Sequence, residues 1–536
     1  MNKIDIDDKV LRFAWWGLAI IVFGVTVAIR IRLLGMPLER DEGEYAYAGQ
    51  LMLQGIPPYK LAYNMKFPGT YAAYAAIMSV FGQTTIGIRL GLLVVNAATI
   101  VLIFFLGRRL MNSTGGIAAA ASYSVLSVSP SVLGFAGHAT HFVLLPVLAG
   151  ALLLFDQSVR QVFGRLFASG LLFGIGLLMK QPAVFFILFG AIYLAFRDIR
   201  AGFVSKKVFL RNLIFGTGAI IPFTIVCFVL WYAGVFRNFW FWAIDYARQY
   251  GSLISISAAP QIFIYNVKEV IGASWGLWAL AGIGAVVGLW MKRSRASTGF
   301  LLGLFAFSAL AVSAGFYFRY HYFILVLPAI SLLAGVAVSN LSDQLNGHAT
   351  AVRLFVFLLF GAALSLPLFW EEKFFFGLSP VEACRLIYGE NPFPESVRIA
   401  EYVREHTNAN DTIAVLGSEP QICFYAKRHS ATGYIYTYGL MEPQKYANQM
   451  QSEIIREIER AHPKYLIFVG MSYSWLARPQ SERMIFTWAN EYSARNYAVA
   501  GFVNLVAPDR TDYYFGEVPQ SLPKLENYIL IYKRKS

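Results

Sequence analysis

The chain has 536 residues, 57% of them hydrophobic and 16% aromatic. An ordinary soluble domain is about 45–50% apolar, so this composition excludes a simple globular protein and points to a chain that crosses a membrane many times. The formal net charge is +14, but the bases outside the C-terminal third sit in short loops between apolar runs, which marks topology and not a nucleic-acid partner.

The N-terminus, MNKIDIDDKVLR, mixes acids with bases. The apolar run behind it is too long for a signal-peptide core, so it reads as an uncleaved first helix. A helix that crosses a bilayer needs about 20 apolar residues, which gives about eleven spans. They fall near 13–34, 85–107, 115–133, 141–155, 166–180, 182–196, 213–232, 270–291, 299–317, 321–339 and 353–370. Under this count Lys3, Lys9 and Arg12, Arg108 and Arg109, Arg160 and Arg165, the 197–211 bases, Lys292, Arg293 and Arg295, and Arg353 all share one side. The positive-inside rule makes that side the cytoplasm. Everything after Trp370 then lies outside, with the 38–70 loop, the His138 and Lys180 turns, the 233–268 loop and the 318–321 turn.

The first outer loop, LERDEGEYAYAGQLMLQGIPPYKLAYNMKFPGT, carries Asp41, Glu42 and Glu44 beside the membrane, where charge is expensive and functional by default. A helix begun at Asp41 puts Asp41, Glu44 and Tyr45 on one side, and Gly55, Pro57 and Pro58 end it. Lys66 returns a cation to the membrane surface just before the next apolar run. At a later outer turn, GHATHF spaces His138 and His141 three apart on one helix face. The MKQP turn offers Lys180 and Gln181, and FRYHY offers Arg319 and His321. The 233–268 segment adds Trp240, Trp242, Tyr246 and Tyr250 near Asp245 and Arg248, a set suited to stacking on sugar rings or to resting at the interface. GxG fragments in the spans suit close helix packing.

From about residue 371 the composition turns polar, with Pro380, Pro392 and Pro394 marking a linker. This divides the chain into a membrane domain, 1–370, and an extracytoplasmic α/β domain, 371–536. SVRIAEYVREH and SEIIREIERAH have helical periodicity, while TIAVLG, KYLIFVG and NYILIYK read as strands. LGSEPQ lacks the glycine spacing that cradles a dinucleotide. With no cluster resembling a site, this domain is expected to guide acceptors or add stability. Of the three cysteines, Cys227 lies in a span; Cys384 and Cys423 remain as the pair that a disulfide would join.

The loop RDEGEYAYAGQLMLQGIPPY, followed by NMKFPGTYAAYA in a polytopic chain, resembles the bacterial glycosyltransferase family 39 group. That group belongs to the GT-C superfamily, with protein O-mannosyltransferases and the lipid A aminoarabinose transferase. The resemblance implies a polyprenyl-phosphate sugar donor, an outward-facing site at a bacterial inner membrane, a lipid, polysaccharide or protein acceptor, and transfer with inversion. In such a reaction a partly desolvated carboxylate takes the acceptor proton, with Asp41 the candidate and Glu42 and Glu44 beside it. Fixed cations at headgroup depth meet the donor phosphate, with Lys66, Lys180 and Arg319 as candidates. Tyr45, Gln181, His138, His141 and His321 complete the expected substrate contacts. A divalent metal on Asp41, Glu44, His138 and His141 is one reading of the histidines; positioning of the acceptor is another. The sequence departs from the aminoarabinose transferase pattern, with Glu44 where an Arg often follows the DE pair and Met65 where a Glu precedes the Lys. Those departures bear on donor choice and on any borrowed metal site.

A transporter or flippase for a lipid-linked sugar is the rival class. It needs the same cations but no base, and it predicts broken polar helices at mid-membrane and an inverted repeat. Here the charges gather at one face and no repeat stands out.

Overall fold

The computed structural model describes residues 3–155, 163–345, 350–507, 509–516 and 526–535. Arg160, one of the bases used for orientation, lies outside the described residues. Among the described residues, seven segments are long and apolar enough to cross a bilayer: Val10–Arg32, Thr85–Leu110, Gln181–Arg200, Ser205–Tyr232, Ala259–Trp290, Arg295–Phe316 and Tyr320–Gln344. Shorter apolar helices occupy Gly69–Phe81, Ala139–Leu154, Phe163–Met179 and Leu354–Trp370. The chain is therefore a multi-pass α-helical membrane protein, and a sheet follows the last apolar helix.

Three expectations change. The span near 115–133 is a helix only over Ser113–Leu126. Ser129, extended at φ −65° and ψ 135°, caps a separate short turn that opens at Pro130, where a missing N–H costs nothing. The 233–268 segment is not an open loop. It forms Phe236–Trp240, Phe241–Tyr246 and Ala247–Gly251, and then the Ala259–Ile271 helix, which runs into the following span and moves its start from 270 to 259. Cys384 and Cys423 are both buried, and no disulfide joins them.

Backbone contacts divide the chain into two compact units, each drawn from three stretches. The first comprises Met1–Arg32, Arg89–Cys227 and Ile254–Gly377. At its centre is the Tyr320–Gln344 segment, 94% buried over its apolar window, whereas the other spans are at most 39% buried. Small residues make that possible: a Cβ on Gly284 would collide with the Leu333 carbonyl, so the two helices meet backbone to backbone. The outer helices leave Phe13, Ile20, Ile220 and Trp290 exposed, as lipid-facing surfaces require.

The second unit comprises Leu33–Ile88, Phe228–Leu253 and Leu378–Ser536. Its sheet contains β1 (Thr412–Leu416), β2 (His429–Ser430), β3 (Tyr465–Gly470), β4 (Tyr497–Ala507), β5 (Arg510–Phe515) and β6 (Tyr528–Arg534), in the order β2-β1-β3-β6-β4-β5. β1 pairs in parallel with β2 and β3; the remaining pairs are antiparallel. Buried Ile413, Ala414, Leu466 and Ile467 explain why β1 and β3 read as continuous apolar runs. The helices expected at SVRIAEYVREH and SEIIREIERAH are Phe393–Glu405 and Ala447–Ala461. Phe393, Ser396, Ile399, Ala400 and Val403 form the buried stripe of the former.

Candidate active site

The Arg40–Leu53 helix starts on an unusual cap. Glu39 accepts from the Glu42 backbone N–H at 2.9 Å, and the Glu42 carboxylate reaches back to the Glu39 N–H at 3.4 Å, a reciprocal capping box. Glu42 is thus fully buried and serves the helix start. Burial first, and then the charges of Asp41 and Glu42, push the Glu39 carboxyl well above its ordinary range. Gly43 allows the helix to lie against Gln421–Ala426: a Cβ there would stand 2.6 Å from the Gln421 Cβ and 2.7 Å from its backbone nitrogen.

Fixing the helix start fixes its next turn, and Asp41 and Glu44 both face Lys66. The Lys66 ammonium donates to Asp41 Oδ1 at 2.8 Å and to Glu44 Oε2 at 2.7 Å. The Asp41 and Lys66 side chains each keep 20% of their surface, whereas Glu44 keeps none. Glu44 also accepts from Asn64 Nδ2 at 2.7 Å and from the Tyr71 hydroxyl at 2.5 Å. Burial raises the Glu44 carboxyl, and Lys66 only partly opposes it. Burial alone would lower the Lys66 ammonium, but Asp41 and Glu44 outweigh it and raise it well above the usual lysine value. Lys66 further lies 4.6 Å from the Tyr45 ring centre. Its own backbone is held by Tyr59, whose hydroxyl donates to the Lys66 carbonyl at 2.7 Å from a left-handed backbone, φ 65°.

Residues that the sequence did not single out complete the cluster. The Tyr436 hydroxyl donates to Asp41 Oδ1 at 2.7 Å, and its ring centre lies 5.3 Å from the Lys66 ammonium. Arg40 pairs with Glu419 at 2.5 Å, both buried, and its guanidinium sits over Phe393 and Tyr438. LGSEPQ therefore serves as the socket for the base of this helix. Asn64 and Tyr71 flank Lys66 closely enough in sequence to have been suspected. Tyr436 and Glu419 are separated from Asp41 by most of the chain, and nothing local marks them.

The remaining candidates fall into separate groups. Trp242 and Tyr246 are buried, Trp242 stacking on Tyr63 at 5.7 Å, while Tyr246 donates to Glu442 at 2.6 Å. They pack against protein and are not offered to a sugar; Trp240 stays exposed. In the first unit, FRYHY gathers others. His321 stacks on His138 at 4.0 Å with an interplanar angle of 12°, and Tyr322, edge-on to His321 at 4.8 Å, receives the Lys180 ammonium 3.9 Å from its ring centre. Arg319 lies over Tyr317 at 5.4 Å, Gln181 opens the short turn after Lys180, and His141 is buried in the helix that begins after His138.

As to a metal, Glu44 is a poor ligand because both of its oxygens already accept from protein donors. His138 and His321, two imidazoles side by side, are the donor type that divalent transition metals take.

These positions can be set beside known proteins. The family model described as dolichyl-phosphate-mannose-protein mannosyltransferase matches residues 66–242. ArnT from Cupriavidus metallidurans, solved with undecaprenyl phosphate, superposes with a TM-score of 0.57 at 15% identity, over 95% of this chain and 98% of that one. The chain shares the fold of that protein. The oligosaccharyltransferase AglB from Archaeoglobus fulgidus, solved with an inhibitory peptide and a dolichol-phosphate, matches with a TM-score of 0.55 at 13% identity, over 95% of this chain and 75% of that one. A further structure of the A. fulgidus oligosaccharyltransferase, in complex with Zn and sulfate, matches with a TM-score of 0.53 at 13% identity, over 93% and 73%. By sequence alone the chain matches no curated protein.

Proposed function

We propose that this protein is a membrane glycosyltransferase that moves a sugar from a polyprenyl-phosphate donor to an acceptor hydroxyl at the outer face of a bacterial inner membrane. The observation that carries this reading is Asp41: a partly exposed carboxylate gripped by Lys66 and Tyr436, one turn from the fully buried Glu44. A base needs access and a fixed direction, and of the two carboxylates on Lys66 only Asp41 keeps exposed surface. In the reaction, the acceptor oxygen forms a bond to the anomeric carbon as the bond from that carbon to the phosphate oxygen breaks. The acceptor proton passes to Asp41, and the electron pair leaves with polyprenyl phosphate. Attack opposite the leaving group inverts the anomeric centre.

Lys66 has three N–H donors and gives two to carboxylates, so its part toward a donor phosphate is a single hydrogen bond. Lys180 and Arg319, each resting on a tyrosine ring, are the other cations proposed for a phosphate. A divalent metal, if bound, would be held by His138 and His321 and would supply positive charge. ArnT was solved with undecaprenyl phosphate and AglB with a dolichol-phosphate, which supports a donor of that class.

The test is purified protein in detergent with a synthetic polyprenyl-phosphate sugar and lipid, glycan and protein fractions as acceptors. Release of polyprenyl phosphate with appearance of one inverted glycoside supports the reading. Movement of intact donor across vesicles, with no bond broken, would support the transporter instead. Mass spectrometry of glycans and lipids from cells with and without the protein identifies the sugar and the acceptor.

A further inference from the structure

We infer that Tyr436, delivered by the C-terminal sheet segment, is a positioning residue for Asp41, so that the sheet segment is part of the catalytic apparatus and not only an acceptor guide. This rests on the reading of Asp41 as the base.

The sheet itself explains why Tyr436 stands where it does. β1 and β3 are parallel neighbours, so the loops leaving their C-terminal ends emerge together. Ser418, just past β1, receives the Thr437 backbone N–H on its hydroxyl at 2.9 Å and donates its own N–H to the Ser474 hydroxyl at 2.8 Å. Thr437 closes the ring by donating to the Ser474 carbonyl at 3.0 Å. All three hydroxyl residues are fully buried and mutually satisfied, an arrangement that rigidifies the backbone on which Tyr436 sits. Tyr438 then holds the Tyr436 ring edge-on at 5.2 Å.

From that rigid base the phenol meets the same Asp41 oxygen that Lys66 holds. Two donors on one oxygen, at 2.7 and 2.8 Å from different directions, fix the plane of the carboxylate. Burial, and next the Asp41 charge, raise the Tyr436 phenol well above its ordinary value, so it remains a donor throughout the working range. Its hydroxyl thus keeps the Asp41 carboxylate aimed while the ammonium neutralises part of its charge.

Tyr436→Phe isolates this role, because it keeps the ring contacts with Lys66 and Tyr438 and removes one hydroxyl. A charge-assisted hydrogen bond is worth about 10-fold to 100-fold in rate, and that is the expected fall in kcat. KM for donor should change less than about threefold. The acid limb of the kcat profile should move to higher pH, which a merely structural anchor would not cause. In an Asp41→Asn background, Tyr436→Phe should produce no further loss. Should Phe impair folding, a fluorinated tyrosine at 436 keeps the shape and alters only donor strength, and kcat should then follow the phenol acidity. Wild-type kcat with an unmoved pH profile, or a full additional loss on top of Asp41→Asn, would overturn the inference. If Asp41→Asn is itself inactive while Tyr436→Phe is normal, only the role of Tyr436 falls; an active Asp41→Asn removes the base reading instead.

Discussion

Gly43 shows how little room the site leaves at the residue scale. Any side chain there must push on the backbone nitrogen of Gln421, which a flexible neighbour cannot relieve. Gly43→Ala should therefore destabilise the protein by about 1–3 kcal/mol, contrary to the usual helix preference for alanine. A thermal or denaturant melt in detergent checks this, and an unchanged midpoint would mean that the two helices do not pack so closely. Much of this cluster is legible in the sequence because it is local: Asp41, Glu44 and Tyr45 share a face by helical spacing, and Lys66 follows within one short loop. The capping role of Glu42 is not legible, because a capping box that begins with Glu39 and not Ser or Thr is hard to recognise. Tyr436 and Glu419 were invisible for a different reason: their partners are set by how the sheet segment folds, not by any nearby pattern.

At the scale of elements, the end of the last apolar helix carries a titrating latch. Glu371, one residue beyond the Leu354–Trp370 helix, accepts from the Ser129 hydroxyl at 3.1 and 3.2 Å, and burial pushes its carboxyl up to about 7. A raised carboxyl holds its proton more tightly in the folded state. Its contribution to stability is therefore greatest below the unfolded value near 4.5 and is lost as pH rises to about 7. The loss is on the order of 3 kcal/mol at most. Glu371→Gln should flatten the melting temperature between pH 4.5 and 7; an unaltered slope would show that Glu371 is solvated. Among the elements, β1, β3 and β6 were readable as apolar runs of strand length. β4 was not, since its register shifts between Val499 and Gly501 and again between Leu505 and Ala507 break the alternation. The 233–268 stretch reads as a loop because aromatics interleaved with charges hide the short helices whose rings turn inward to Tyr63 and Tyr434.

For the whole molecule, composition alone was enough to establish a multi-pass chain, because length and hydropathy are what a bilayer demands. The grouping of 33–88 and 228–253 with the C-terminal sheet was not readable, since compact units here are assembled from distant stretches. The basic loops predict an orientation that is open to direct measurement. Lys60, Glu405 and Lys206 are all exposed, and each accepts a reporter cysteine. An impermeant maleimide added to spheroplasts should label Lys60→Cys and Glu405→Cys but not Lys206→Cys. The reverse pattern would invert the protein and move the Asp41 cluster to the cytoplasm.

The central claim, that Asp41 is the base of a sugar transfer, is tested most directly by steady-state kinetics of Asp41→Asn with a defined donor. Asparagine keeps the shape and loses the basicity. Turnover should fall by on the order of 10²–10⁴-fold while donor affinity stays near that of the parent protein. Transfer at close to the parental rate would contradict the account and pass the role of base to another group.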